Sequence, residues 1–442
     1  MAVEQKYLPG KHTRAQWMRM DAASILKRFF FLERALILAQ SGWIASIAPI
    51  EIKTGLPGMT WQDAMTAQAL RERVFELRYP SRLMEIGDDS SLVALFNQAI
   101  NAPHVSAFLA GLEQVYKPAL LQAYENYIES TDEIADGPTL RFLNLAIQEK
   151  KQQITTMANW LGELISADKE EQAAADQWVS ELKAQLAQIG GVTLEPLPAT
   201  SKTIPAPQGA RPFTLAQVPA RDERFINLRY YWPDIIDPEF AYGDGIRLQL
   251  RSAVSHFNEV WAIETAGAIL HAFADELGWE FIYDAARWTY DEARHTQMGL
   301  DRLTQWGFEF SEIPLGSYIY DSAKDQDPIY RLGMLFFFET KNIGKKNFRI
   351  KAFTEYDDDV SRHDMDYDWA DETIHASYGS RWLGELLNAR HEVAHTTSDH
   401  DHIRDKCAAL VAAEVSSSTP EDRAEIRAIA EKIIAKAESS VI

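Results

Sequence analysis

The sequence predicts an all-α protein, and three observations support that fold class. Apolar residues recur every three or four positions in the first half, as in "AASILKRFFFLERALILAQSGWIASI", which is the spacing of helices with one buried face. The same spacing returns from "IRLQLRSAVSHFNEVWAIETAGAILHAFADELG" onward. Strand-like alternation is not evident. Eight of the 18 prolines fall between Pro196 and Pro238, which predicts a linker or a chain lying over a surface between the two helical parts.

The order of these patterns predicts four parts. A helical domain is expected over residues 1–190, a proline-rich linker over 191–240, a four-helix bundle over 241–403 and a C-terminal helical tail over 404–442. Within the tail, a threonine or serine N-cap before Pro420 predicts the start of a short amphipathic helix.

Composition excludes several classes of function. The formal charge of −21 argues against binding to nucleic acid or to anionic membrane surfaces, because both require basic patches. The single cysteine, Cys407, excludes a disulfide framework and suits a reducing compartment. The charged first thirty residues predict no signal peptide, and the lack of long uncharged runs predicts no membrane span. A cytoplasmic protein is therefore expected.

Metal chemistry, if present, is expected in the second half, where nine of the eleven histidines lie. Residues 291–299 and 371–379 both read D-E-x-x-H-x-x-x-G. Residues three apart share a helix face, so Glu292 lies beside His295, and Glu372 beside His375. Each pair provides half of a metal site. The glycine one turn later leaves room for a closely packed helix or for a small molecule.

Two further glutamates complete a candidate ligand set. Glu264 interrupts the apolar run "VWAIETAGAIL", and Glu339 interrupts "GMLFFFETKNIG". A bare carboxylate is costly to bury, so each is expected to be paired or to bind a metal ion. The ordered pattern is that of carboxylate-bridged di-metal four-helix bundles, with the predicted ligands Glu264, Glu292, His295, Glu339, Glu372 and His375. Carboxylate and imidazole ligands favour two iron ions, or one manganese and one iron.

A family resemblance follows from these residues. The segment from "HFNEVWAIETAG" to "DEARHTQMGLDRLTQWG" resembles the first helix pair of ferritin-like proteins, especially a bacterial group of uncharacterised ones, and Glu339 with "DWADETIHASYGSRWLGELL" resembles the second pair. "DEARH" is also similar to the D-E-x-R-H motif of bacterial multicomponent di-iron monooxygenases. That similarity implies that Asp291 and Asp371 orient the histidines and that Arg294 pairs with a neighbouring carboxylate. The second copy departs from the motif at Ile374.

The expected function is that of a di-iron, or manganese and iron, oxidase or oxygenase of the monooxygenase type. It would use O2 as co-substrate on a small organic molecule, and an electron-donating reductase or ferredoxin and a homodimer are possible partners. Aromatic residues near the proposed ligands would wall a substrate pocket or simply form core, and Tyr290 is the first candidate for relaying electrons. The alternative within the same fold is an iron-handling or peroxide-scavenging protein.

Two weaker patterns remain. Glu33, Glu76-x-x-Tyr79, Glu125 and Glu149-x-x-Gln152 repeat the order of the second-half ligands without its histidines, so the first domain is either a degenerate ferritin-like bundle or an unrelated helical domain. His391-Glu392-x-x-His395 is a literal H-E-x-x-H, the motif of zinc metalloproteases. It lacks readable strands to bind a peptide and an evident third ligand, and a polar helix end is the preferred interpretation.

Overall fold

The protein is predominantly helical, as the sequence predicts. The computed structural model describes residues 16–78, 84–165, 169–196, 204–241, 243–391 and 396–440. Within these ranges the strands are β1 (Ile226–Asn227) and β2 (Pro314–Leu315), which form one short parallel pair. The described helices include none with the combined length and apolar character that a bilayer crossing requires.

Contacts divide the chain into two compact units. The first contains Met1–Leu36 and Gln62–Pro212, and the second contains Ile37–Trp61 and Phe213–Ile442. This division differs from the expected boundaries, because residues 37–61 join the second unit. The proline-rich segment is also shared. Its aromatic residues Phe225 and Trp232 are buried in the core of the second unit, so this part of the chain is more than a linker.

The first unit is formed by helices, of which α1 and α2 continue into the second unit. These helices are α1 (Arg19–Trp43), α2 (Ile50–Leu77), α3 (Ser90–Asn97), α4 (Val105–Gly111), α5 (Lys117–Ser130), α6 (Gly137–Ile165) and α7 (Lys169–Ile189). A π-helical turn at Leu112–Tyr116 joins α4 to α5.

The second unit carries the long helices of the predicted metal site. Its helices are α8 (Ile246–Phe257), α9 (Val260–Leu277), α10 (Trp279–Gln305), α11 (Tyr318–Ser322), α12 (Ile329–Glu355), α13 (Asp359–His391), α14 (Thr397–Ser416) and α15 (Pro420–Ser440). Thr419 and Asp422 exchange hydrogen bonds at the start of α15, which confirms the expected cap before Pro420.

Four of these helices pack together. Helix α9 contacts α10 and α12, and α13 contacts α10 and α12. Tight turns join the pairs in sequence. Gly278, with φ of 78°, connects α9 to α10, and Asp357, with φ of 56°, lies between α12 and α13. The longer crossing from α10 to α12 contains β2 and α11. Four helix faces thereby converge on one interior.

Gly299 permits a close approach of α10 to α8. A Cβ atom at Gly299 would lie 2.1 Å from the backbone nitrogen of Phe257 and 2.6 Å from the carbonyl oxygen of Ala253. At the matching position of the second motif, a Cβ on Gly379 would lie 2.5 Å from the ring of Phe336. Both glycines therefore serve close packing, which is the first of the two roles expected for them.

Candidate metal centre

Five of the six predicted ligands converge between α10, α12 and α13. Three overlapping groups bring potential ligand atoms within 4.8 Å of one another. These groups are Glu259 with Glu292 and His295, Glu292 with Glu339 and His375, and His295 with Asp368 and Glu372.

Glu292 lies between the two histidines. His295 Nδ1 lies 3.5 Å from Glu292 Oε2, and His375 Nδ1 lies 3.1 Å from Glu292 Oε1. Each histidine also faces a second glutamate: Glu259 Oε2 is 3.3 Å from His295 Nδ1, and Glu339 Oε2 is 3.7 Å from His375 Nδ1. The two oxygens of Glu292 therefore face two separate ligand groups, the arrangement expected of a bridging carboxylate.

Many of these buried atoms form no hydrogen bond. Each side chain in the cluster has one buried atom without a hydrogen-bond partner among the described residues. These atoms are Glu259 Oε2, Glu292 Oε2, His295 Nδ1, Glu339 Oε1, Asp368 Oδ1, Glu372 Oε2 and His375 Nδ1. Buried polar atoms in proteins are nearly always satisfied. Seven such exceptions in one place, all of them metal-ligand atom types, fit a site that holds metal ions.

Glu264 is not part of this cluster, and Glu259 takes its place. Glu264 is fully buried, but its carboxylate binds Lys53 and Arg221, with Arg221 Nη2 3.1 Å from Glu264 Oε2. Glu259 lies five residues earlier, just before α9, and five residues rotate a helix position by about 140°. Glu264 therefore points away from the histidines and is neutralised by two cations.

The spacing of the second motif contains the signal that identifies Glu259. Glu339 lies 33 residues before Glu372, and the residue 33 positions before Glu292 is Glu259. The sequence analysis predicts Glu264 because its neighbours are apolar. The equal spacing of 33 residues in the two helix pairs favours Glu259 instead.

The two aspartates of the motifs orient the histidines across the helix pair. His295 Nε2 lies 3.3 Å from Asp371 Oδ2, and His375 Nε2 lies 3.4 Å from Asp291 Oδ2. A proton held on Nε2 by an aspartate leaves the Nδ1 lone pair directed at the cluster. Each aspartate thus acts on the histidine of the opposite motif.

Arginine side chains join the two aspartates. Arg294 Nη2 lies 2.5 Å from both Asp291 Oδ1 and Asp371 Oδ2. Arg287 contributes a second link, with its Nε 2.7 Å from Asp291 Oδ2 and its Nη2 3.5 Å from Asp371 Oδ1. The second motif has Ile374 where an arginine is expected. Arg287, which lies one turn before Asp291 on α10, supplies a second guanidinium between the two aspartates.

Trp288 contacts the ligands, whereas Tyr290 does not. The indole Nε1 of Trp288 is 3.1 Å from Glu292 Oε1 and 3.2 Å from Glu339 Oε2, so it donates toward two carboxylates. Tyr290 lies under the guanidinium of Arg294 and against Gly58. Of these two side chains, only Trp288 hydrogen-bonds to the candidate ligands.

Asp368 and Lys346 are two members of the site that the sequence reading missed. Both are buried, and the Lys346 ammonium binds Asp368 and lies 3.6 Å from Glu372 Oε1. His256 Nε2 is 2.8 Å from Asp368 Oδ2, and Arg302 Nη2 is 2.7 Å from His256 Nδ1. A buried cation thus lies beside the ligand cluster.

The formal charges of the site match two divalent ions. The cluster contains five carboxylates, and the ammonium of Lys346 reduces their formal charge to −4. Two divalent cations would cancel this charge. Because unpaired charge is very costly to bury, this balance agrees with the unsatisfied ligand atoms.

The crowded carboxylates of the cluster shift the pKa values of its members. Burial and the neighbouring Glu292 and Glu372 raise the pKa of Glu339 well above its ordinary value, and burial raises the pKa of Glu372 to about 8. Burial lowers the pKa of His375, but Asp291 and Glu292 outweigh it and raise this pKa to about 9. Glu339 and Glu372 therefore bind protons more readily than isolated glutamates do.

A cavity of about 370 Å³ opens onto the cluster. Its lining includes the ligand carboxylates Glu259, Glu292, Glu339 and Glu372. A small molecule that enters this cavity would reach these carboxylates, whereas Asp291 and Asp371 are not among the residues that line it.

The first unit contains a different buried network. Glu33 is buried there, but its Oε2 accepts from Lys150 at 2.9 Å, and Lys117 Nζ donates to Asp63 Oδ2 at 2.8 Å. Lys150 also binds Asp63. Two carboxylates and two ammonium groups cancel in charge, and the network needs no metal ion.

Other members of the expected repeat in the first unit do not join this network. Glu76 is exposed and pairs with Arg73, and Glu125 pairs with Lys151. Tyr79 lies outside the described residues.

The H-E-x-x-H string begins at His391, the last residue of α13. Glu392 and His395 fall outside the described residues, as does the side chain of His391. The zinc-protease alternative stays a prediction.

Comparison with known proteins gives one match. Residues 217–417 match the model of a family described as "Protein of unknown function (DUF455)". No curated protein and no solved structure matches the chain. The matched region contains every residue of the metal cluster and helices α8 to α14, so the similarity is to a family whose function is not described.

Proposed function

We propose that α9, α10, α12 and α13 form a ferritin-like di-metal bundle and that the protein is an O2-activating oxidase or oxygenase for a small organic substrate. The observation that carries this proposal is the set of seven buried, unsatisfied ligand atoms beside a cavity of about 370 Å³. A site that only stabilised the fold would have no need of an open side.

The metal ions would be held by the residues that surround Glu292. His295, which also contacts Glu259, faces one oxygen of Glu292, and His375, which also contacts Glu339, faces the other. Glu372 and Asp368 lie beside His295 in the third group. Two bound iron ions, or one iron and one manganese, supply the electrons that activate O2, which organic side chains cannot supply.

The surrounding residues perform three tasks. Asp291 and Asp371 keep the histidine protons on Nε2, so that both Nδ1 atoms face the metal ions. Trp288 Nε1 donates to Glu292 and Glu339 and restricts their orientation. Lys346 holds its proton close to Asp368 and Glu372, because those carboxylates raise the pKa of its ammonium although burial lowers it.

Metal content and O2 consumption test the proposal together. The purified protein is stripped with a chelator, loaded with Fe²⁺ without oxygen, and then exposed to O2 in an oxygen electrode with a chemical reductant. We expect about two metal ions per chain and O2 uptake that His375→Ala abolishes. The exposed Glu276→Gln variant serves as the control and should behave like the wild type. One tightly bound zinc ion, or iron without O2 uptake, would contradict the proposal.

A further inference from the structure

Both carboxylates and cations line the cavity. Besides the ligand carboxylates, α8 and α12 contribute cationic side chains to its wall. These side chains are Arg251, Lys341, Lys345, Lys346 and Arg349. Such a concentration of positive charge is unusual in a chain whose formal charge is −21.

Helix α12 arranges three of these cations in a row. Lys341, Lys345 and Arg349 are spaced four residues apart, so they lie on one helix face. Lys341 and Lys345 are exposed, and neither forms an ion pair within the described part of the chain. A row of cations on the cavity wall is poised to bind a negatively charged group.

The two other cations of the wall have anionic partners. Lys346 is held by Asp368, and Arg251 Nε lies 2.9 Å from Asp234 Oδ1. Once metal ions neutralise the ligand carboxylates, the positive field of Lys341 and Lys345 dominates the cavity. This field repels incoming metal cations and attracts anions. It therefore favours a substrate-binding role over a route for iron uptake.

The cavity also has an apolar wall. Tyr231, Trp261, Tyr318 and Phe338 line it, and aromatic walls with a few polar groups are typical of small-molecule sites. Lys345 lies six residues beyond Glu339 on the same helix, which corresponds to about 9 Å along the axis. Because six residues also rotate a helix position by about 240°, the two side chains leave α12 in different directions, and a molecule bound to Lys345 must span at least this axial distance to reach Glu339 through the cavity that both residues line.

We propose that the substrate is a small organic anion, with an apolar or aromatic body, whose carboxylate or phosphate group binds Lys341 and Lys345. This inference rests on the proposed function, since it places the body of the molecule beside the metal cluster. The charged group selects and positions the substrate at a distance from the reacting end.

Binding of defined probes to the metal-loaded protein tests the inference. The probes are 3-phenylpropanoate, 2-phenylethyl phosphate and the neutral 3-phenylpropan-1-ol, and affinity is measured by isothermal titration calorimetry. We expect at least one anion to bind at least about fivefold more tightly than the alcohol. Its affinity should fall between about 0.05 and 0.5 M salt because the ion pairs lie near solvent.

The variants separate the lysines from other causes. In the double variant Lys341→Gln/Lys345→Gln, anion affinity should fall about fivefold to tenfold, while alcohol affinity stays unchanged. Lys351→Gln is the matched control, because Lys351 is an exposed lysine of α12 outside the cavity lining, and it should leave both affinities unchanged.

Three results would overturn the inference: anions that bind no more tightly than the alcohol, a double variant with unchanged anion affinity, or anion binding that requires metal ions but not the lysines. Metal content is measured on the same samples. Absence of metal with lysine-dependent anion binding would contradict the di-metal function and leave the anion site standing. Two bound metal ions without lysine-dependent anion binding would contradict the anion site and leave the di-metal function standing.

Discussion

Replacing Glu259 and Glu264 separately by glutamine should give opposite results, although both are glutamates at the start of the same helix. Glu264 is fully buried and binds Lys53 and Arg221. Glu259 faces His295 across 3.3 Å, and its Oε2 is buried without a hydrogen-bond partner among the described residues. The first side chain stabilises the fold, and the second is a candidate ligand.

The magnitudes follow from these contacts. Glu264→Gln removes the charge that compensates two buried cations, which should cost about 3 kcal/mol of unfolding free energy. For a unit of this size, that loss lowers the Tm by about 6–12 °C. Glu259→Gln removes one of several crowded carboxylates, so the Tm of the metal-free protein should stay constant or rise. Metal affinity should fall at least about 10-fold to 100-fold, because a ligand matters at least as much as its supporting residues.

Two measurements on each variant are sufficient. The Tm is recorded by circular dichroism after treatment with a chelator, and Mn²⁺ or Fe²⁺ affinity is measured by competition with a chromogenic chelator. The reasoning is refuted if Glu264→Gln loses metal at an unchanged Tm while Glu259→Gln binds metal normally.

Three further predictions concern packing and buried charge. Gly299→Ala should destabilise the protein by about 1–3 kcal/mol or more, because its Cβ would overlap backbone. Gly344→Ala in α12, where a Cβ meets nothing within 4 Å, should instead stabilise it by about 0.5–1 kcal/mol in denaturant titrations; equal effects would contradict this account. Lys150→Met leaves Glu33 without its ammonium partner and Asp63 with Lys117 alone, so it should cost about 3–5 kcal/mol in the same assay. A loss below about 1 kcal/mol would show that the network is not needed. Burial lowers the pKa of Lys53 to about 8 despite the opposing effect of Glu264. Between pH 8 and about 10.5 the unfolded chain therefore binds a proton that the folded chain does not. The stability of the wild type relative to Lys53→Met should consequently rise by up to about 3 kcal/mol across that window. A difference in stability that stays constant with pH would refute the lowered pKa of Lys53.

Local periodicity was sufficient to predict the helices, because an apolar face repeats along each of them. It also located Glu292, His295, Glu372 and His375, since two ligands on one helix are related by a spacing that sequence displays directly. The aspartates before the glutamates belong to the same repeated motif, whereas their role beside the histidines is implied only by the resemblance to di-iron monooxygenases.

Contacts between distant segments were not readable in this way. Glu264 was selected because it lies in an apolar run, but that run also faces Lys53 and Arg221, which are far away in sequence. Lys346 and Asp368 resemble ordinary surface charges until α12 and α13 are paired. A sequence shows which charges are costly to bury, whereas only the fold shows which partner neutralises each of them.

The first half illustrates the same limit. The sequence places Glu33 only in a repeated order of glutamates, but Glu33 is buried and the residues that complete its network are Asp63, Lys117 and Lys150, whose spacing carries no motif. In this network of the first unit, lysines neutralise the carboxylates. The repeated order of glutamates does not predict these lysines.

Anomalous diffraction from crystals of the protein loaded with Mn²⁺ tests the central claim most directly. The account predicts two peaks within the second unit, one between Glu259, Glu292 and His295 and one between Glu292, Glu339 and His375. The absence of peaks at Glu292, or a single metal ion bound elsewhere in the chain, would contradict it.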